Sequence, residues 1–303
     1  MPLTYGELSS ITQNFLVPKL VDNVFDSNVL LSRARKKWYE KGSGIQVQQP
    51  LAYATTTAAG RFSGADTLNN TPNDQVTAAT WDWKQYYASI QITRLDELKN
   101  SGKEAVINLV KSKVQLAEKS LASLMGTDLF AAGTTANSIV GVKGMCAGSG
   151  TTYGNISKTD YSWWRGQQDT TTTAITYPKL RDMIGNLTID NDKPSLIITT
   201  KAIYSDIVAL MQPQQRFTDA KTADAGFQNI LVEGLPVVQD SHCPSGYIYL
   251  LNESYITLYY LEDFRFDPFT KPINQAVSVA HIFWTGALAC SNCRLQGEFS
   301  AIA

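Results

Sequence analysis

The sequence predicts an α+β chain of extended build, and three observations predict it. One long amphipathic helix occupies the middle of the chain. Before it, a segment with almost no core-forming side chains separates two strand-like runs. After it comes a helix–strand–helix unit followed by a series of apolar strands.

The helix is read over Ser101 to Gly133. Val106, Leu109, Val110, Val114, Ala117, Leu121, Leu124 and Met125 recur at helical spacing and form one apolar stripe, while Lys103, Lys111, Glu118 and Lys119 keep mostly to the remaining surface. Ser101 and Glu104 fit a capping box at its start, and Gly133 is placed to end it in the left-handed conformation. At 1.5 Å per residue such a helix is about 45 Å long, more than most compact domains need. Gly126 is its expected weak point.

Residues 1–41 open with apolar side chains (Ile11, Phe15, Leu16, Leu20, Val24, Phe25) that have no partner nearby in sequence, which is the pattern of an arm. Arg33, Arg35, Lys36, Lys37 and Lys41 then form a basic stretch opposed only by Glu40. Such a run is more often a solvated face than a nucleic-acid contact. Strands are expected at Ile45–Tyr53 and Trp83–Thr93. Between them, residues 54–80 hold only Phe62, Leu68 and Val76 as large apolar side chains, so the segment cannot build a core and is read as a projecting hairpin ordered by another molecule.

Beyond the long helix a glycine-rich connector leads to a helix begun by Thr176 and Pro178, a strand at Leu196–Thr199 and a helix after Thr200. A polar loop occupies 213–226. Ile230–Val232 and Leu235–Val238 form a hairpin across Glu233–Gly234. Further strands are expected at 247–251, 255–261 and 276–289, the last buried on both faces.

A 303-residue chain with 44% apolar and 17% charged residues is globular, and a net charge of −1 gives no sign of a dedicated nucleic-acid binder. The first 15 residues show no apolar core of signal-peptide length and no run reaches the ~20 apolar residues of a membrane span, so neither export nor a membrane is expected. Four cysteines fit a reducing cytoplasm.

Catalytic motifs are scarce. Only His242 and His281 offer imidazoles, and no G-x-S-x-G, H-E-x-x-H or G-x-G-x-x-G occurs. Cys290-x-x-Cys293 is half a zinc site whose second half is missing. No catalytic, cofactor or metal residue is therefore assigned.

The order of parts, an arm, a hairpin, a spine helix, a helix–strand–helix unit and returning strands, resembles the major capsid protein of tailed bacteriophages, the Hong Kong 97-type shell fold. The stretches IVGVKGM, YSWWRG, ITYPKLRDMIGNLTIDNDKPSLIITTKAIYSDI and ILVEGLPVVQDSHCPSGYIYLLN carry the resemblance, which spans nearly the whole chain. It implies a structural protein forming pentamers and hexamers that close into an icosahedral phage head around double-stranded DNA, contacted non-specifically. By this resemblance residues 1–41 are the N-terminal arm, 42–93 the extended loop, 94–150 with 264–303 the peripheral domain, and 151–263 the axial domain. A separate scaffolding protein is expected, with portal and decoration proteins as further partners. The location implied is the virion, assembled in the host cytoplasm. Expected inter-subunit contacts are Arg33, Arg35, Lys36, Trp38, Tyr39, Phe62 and Leu68. Two alternatives stay open: an encapsulin-like nanocompartment shell, which shares the fold but encloses protein, and a cytosolic enzyme with an unrecognised site.

Overall fold

The computed structural model describes residues 28–99, 109–211 and 230–302. They fall into two units: a larger one of residues 28–86, 122–211, 230–263 and 284–302, and a smaller one of 87–99, 109–121 and 264–283. The long elements run through both. Among the described residues no helix is long and apolar enough to cross a membrane.

The chain enters through helix α1 (Val29–Lys37) and strand β1 (Tyr39–Lys41), then forms a two-stranded ribbon of β2 (Gln46–Ala52) and β3 (Val76–Asp82). Next come β4 (Lys84–Thr93), α2 (Arg94–Lys99), the long α3 (Leu109–Phe130), the short α4 (Val142–Cys146) and a small hairpin, β5 (Thr152–Tyr153) with β6 (Ile156–Ser157). Then follow β7 (Gln167–Asp169), α5 (Tyr177–Leu187), β8 (Leu196–Thr199), α6 (Lys201–Met211), β9 (Ile230–Val232), β10 (Leu235–Gln239) and β11 (Ile248–Leu251). Two long strands, β12 (Ile256–Thr270) and β13 (Val277–Cys290), precede β14 (Gly297–Phe299).

A six-stranded sheet of order β7-β14-β11-β8-β10-β9 organises the larger unit. Leu180, Met183, Ile184 and Leu187 of α5 and Ile203 and Ile207 of α6 cluster with Ile197, Val237, Ile248, Leu250 and Phe299 of the sheet. All four residues of β8 and of β11 are buried, as strands covered on both faces require. The second sheet has the order β1-β12-β13-β4.

Two expectations are corrected. Residues 54–80, read as a segment between two strands, supply the partner of the Ile45–Tyr53 run. The partner is β3, in register from Gln46↔Asp82 to Ala52↔Val76, so a strand lies inside a segment that reads as loop. Its Thr-Ala-Ala-Thr core has no apolar alternation to announce it. Leu124 is the second: it is 48% exposed, whereas Ala117, Leu121, Met125, Leu129 and Phe130 are buried. The stripe continues through Leu129, and at 100° per residue Leu124 sits about 60° to one side of Leu121. Residues 101–108, with the expected capping box and Val106, lie outside the described residues, as do the arm before Asn28 and the loop at 213–226.

The helix runs unbroken through Gly126. A Cβ there would stand 2.2 Å from Asn28 Nδ2, so the glycine serves close approach and not a bend. Asn28 uses the space, donating from Nδ2 to the Ala122 carbonyl at 2.8 Å while its Oδ1 caps α1 through Leu31 N–H at 3.0 Å. Both-face burial in β13 holds only from Trp284 onward; the first half alternates. Leu121 is 1% exposed, so Leu121→Ala should cost about 2–5 kcal/mol, read as a lower urea midpoint of the subunit. An unchanged midpoint would reject that burial.

Candidate assembly surface

The β2/β3 ribbon is anchored at its base and bare at its tip. Val47, Leu51, Ala79 and Trp81 are buried along one face. Trp81 packs edge-on to Tyr153 at 5.6 Å, Tyr53 stacks on Trp163 at 5.3 Å, and Thr80 N–H donates to Gly154 O at 2.9 Å. Gly154 has φ +58°, and a Cβ on it would meet Ala79 and Trp81 at 2.9 Å, so the ribbon docks where only glycine fits. Trp164 donates its indole N–H to Tyr153 O at 2.9 Å. The YSWWRG stretch thus supplies the platform for the hairpin.

The ladder closes with Tyr53 N–H donating to Gln75 O at 3.0 Å. Beyond it the loop is tied by polar bonds alone: Asn73 Nδ2 to Thr55 O at 3.2 Å, Asn69 Nδ2 to Thr57 O at 3.4 Å, and Ser63 N–H to Asp66 Oδ2 at 2.8 Å. Phe62 is 68% exposed and Leu68 58%, while Ile45 and Val76 at the strand ends are 94% and 67% exposed. The ribbon and its loop thus expose four large apolar side chains.

The basic stretch behaves differently. Residues 29–37 are a helix, which the sequence reading did not foresee, with Leu30, Leu31 and Ala34 buried. Arg33 grips Glu253 with two bonds of 3.0 and 3.1 Å, and Lys37 reaches the same carboxylate at 3.0 Å. Burial alone would raise the Glu253 carboxyl, but Arg33 and Lys37 outweigh it and hold the group below the usual carboxylate range. Trp38 is buried. Tyr39 stacks on Tyr260 at 4.2 Å, donates to Asp263 at 2.5 Å and accepts from Trp284 Nε1 at 2.9 Å. Arg35 lies 5.9 Å from the centre of the Tyr39 ring, and Lys36 is exposed. Of the seven expected contacts, Arg33, Trp38 and Tyr39 are engaged inside the subunit, while Lys36, Phe62 and Leu68 face solvent.

Lys158 and Glu298 went unnoticed in the sequence. Lys158 is fully buried, and its Nζ donates to the carbonyls of Gly144, Met145 and Ala147 at 3.0, 2.7 and 2.8 Å. It caps the C-terminal end of α4, where unpaired carbonyls carry partial negative charge. Glu298 is buried on β14 with Gln168 on Oε1 at 2.7 Å. Cys146, Cys243, Cys290 and Cys293 are free and buried, and burial pushes the Cys146 and Cys293 thiols far up, the opposite of an activated nucleophile.

The profile of the SU10 major capsid protein matches residues 93–291, about two thirds of the chain. The chain belongs to that family. It is a structural capsid protein of the phage head shell with the Hong Kong 97-type fold. The capsid protein of cyanophage A-1(L) superposes with a TM-score of 0.77 at 16% identity, covering 99% of each chain. The capsid protein of the native GTA particle gives 0.71 at 12% identity, covering 97% of this chain and 96% of its own. The shell of the holo-SrpI encapsulin complex from Synechococcus elongatus PCC 7942 gives 0.64 at 10% identity, covering 100% and 96%. No curated protein sequence matches the chain.

One arrangement in this capsid protein has the order of a hydrolase relay. Asp240 Oδ1 lies 3.4 Å from His242 Nδ1, and His242 Nε2 lies 3.2 Å from Ser123 Oγ. Both Asp240 oxygens also accept backbone N–H groups, Leu30 at 2.8 Å and His242 at 2.9 Å, and the imidazole is buried. The cluster fits a clamp joining α1, α3 and the loop after β10.

Proposed function

We propose that this capsid protein assembles with itself, as pentamers and hexamers, into an icosahedral head around double-stranded DNA. The observation that carries the reading is the β2/β3 hairpin, docked along one face and exposing Phe62 and Leu68 on its polar loop, with Ile45 and Val76 exposed at the strand ends. Apolar anchors on an extended arm suit contacts between like subunits, where aromatic and aliphatic anchors supply most of the affinity. Residues 1–41 act as arm, 42–93 as extended loop, 94–150 with 264–303 as peripheral domain and 151–263 as axial domain. Arg35, Lys36, Phe62 and Leu68 make the outward contacts. Arg33, Trp38 and Tyr39 support them from within by fixing α1 and β1. A separate scaffold, a portal and decoration proteins complete the assembly in the host cytoplasm, and the subunit needs no cofactor and turns over no substrate.

Nuclease-treated particles viewed by negative stain should be closed shells that retain double-stranded DNA. Shells that hold a protein cargo instead would favour a nanocompartment. A small discrete oligomer would refute both and revive the enzyme reading.

A further inference from the structure

The root of the β2/β3 ribbon opens on a cleft of about 440 Å³ in the larger unit, within the size range of pockets that enclose small ligands. Ile139, Val140 and Leu288 form part of its wall, and Gln46, Asp82 and Lys84 line it from β2, β3 and β4. Asp82 is exposed, and its Oδ1 accepts from Gln46 Nε2 at 2.6 Å. Lys84 is half-buried, and no carboxylate pairs with it among the described residues. An ammonium that gives up part of its water without gaining a counter-charge is a cost to the single subunit.

The other end of the same ribbon carries the complement. Arg61, Phe62, Asp66 and Leu68 lie in the loop beyond the last ladder pair, and every residue from Arg61 to Asn70 is exposed. Asp66 Oδ2 accepts the Ser63 N–H at 2.8 Å. Neither Arg61 nor Asp66 has an ion-pair partner among the described residues. The tip thus holds one cation, one anion and two large apolar groups, while the cleft holds one anion, one cation and an apolar wall. The seven paired positions from Gln46↔Asp82 to Ala52↔Val76 keep the two ends of the ribbon roughly 20 Å apart. A second copy of the chain can bring them together.

We propose that the hairpin tip of one subunit seats in the cleft of a second copy, with Asp66 on Lys84, Arg61 on Asp82 and Phe62 on the wall of Ile139, Val140 and Leu288. The proposal rests on the reading of the tip as an assembly surface and adds the place where it lands. Ligand and receptor sit at opposite ends of one ribbon, so the contact is head to tail, and its repetition through a rotation closes a ring. Pentamers and hexamers are rings of this kind. The opposite charges fix the register, and the apolar contact supplies affinity.

Charge exchange in the full-length chain tests the contact, read as the yield of shells by sedimentation and negative stain. Asp66→Lys alone and Lys84→Glu alone should each lower the yield by roughly tenfold or more, because each sets like charges face to face. The two together should return it to within about twofold of wild type. Should Lys84→Glu fold poorly, Arg61→Glu and Asp82→Lys put the same question at exposed positions, each failing alone where the pair succeeds. Normal shells from every single reversal, or single defects that the pair does not relieve, would overturn the landing site. If Phe62→Ser with Leu68→Ser still abolishes shells in that case, the tip remains an assembly surface and only its landing site falls. Normal shells from that variant as well would overturn both.

Discussion

Replacing Lys158 by methionine should lower the stability of the subunit by about 3–5 kcal/mol, although the two side chains are close in size. The ammonium donates to three carbonyls at once, those of Gly144, Met145 and Ala147. Methionine keeps the packing and removes every one of those bonds. The Gly144 and Met145 carbonyls left unpaired cost on the order of 1–3 kcal/mol each, while Ala147 O keeps the Gly166 N–H at 3.1 Å, and the end of α4 also loses the cation that answers its dipole. Burial lowers the Lys158 ammonium from its ordinary value, so the fold pays desolvation to keep the charge there, and its three partners are what offset it. Arginine should fail almost as badly, because a planar fork does not fit three carbonyls that converge on one point. Urea unfolding of the unassembled subunit reads the loss. Thiol labelling in the native state adds a local readout: Cys146, buried beside the cap, should become reactive in Lys158→Met and stay silent in wild type. Equal midpoints would show that packing alone holds the end of α4.

What the sequence could tell depended on how far apart the partners stand. The strand at Leu196–Thr199, the helix after Thr200 and the hairpin at 230–239 carry their signals within a dozen residues: an apolar run, a cap, a Glu-Gly turn. The structure has all three where they were expected, with Glu233 and Gly234 both at positive φ. The basic stretch at 33–41 was opaque for the opposite reason. Its charges looked unanswered because the answering carboxylate, Glu253, lies 220 residues from Arg33. Lys158 was invisible in the same way, since its partners are carbonyls, and no side chain near it in sequence hints at burial. β3 was missed because Thr and Ala at its centre give no alternation. Phe62 and Leu68 were legible as candidate contacts because a segment without core-forming residues leaves its few apolar side chains no partner inside the chain.

Excising residues 54–74 and joining Tyr53 to Gln75 through an Asn-Gly turn should leave a folded subunit that forms no shells. The seven paired positions of β2 and β3 survive this change, as does the Tyr53–Gln75 bond that closes the ladder. A two-residue turn of this type matches the twist of a hairpin. The excised loop buries no large apolar side chain, and the bonds that hold it are polar and exposed. Its removal should therefore shift the thermal midpoint by no more than about 2–3 °C, since shortening a flexible loop costs little entropy. Assembly is another matter. Phe62 and Leu68 are the large apolar groups of the tip, and losing a buried anchor from an interface costs on the order of 2 kcal/mol per contact. That penalty recurs at every subunit of a closed shell, so the yield of shells in negative stain should fall to background. The double change Phe62→Ser with Leu68→Ser should reproduce most of the defect while leaving the loop in place. Normal shells from the excised chain would remove the hairpin tip from the assembly surface, and loss of cooperative unfolding would instead make it part of the subunit's own fold.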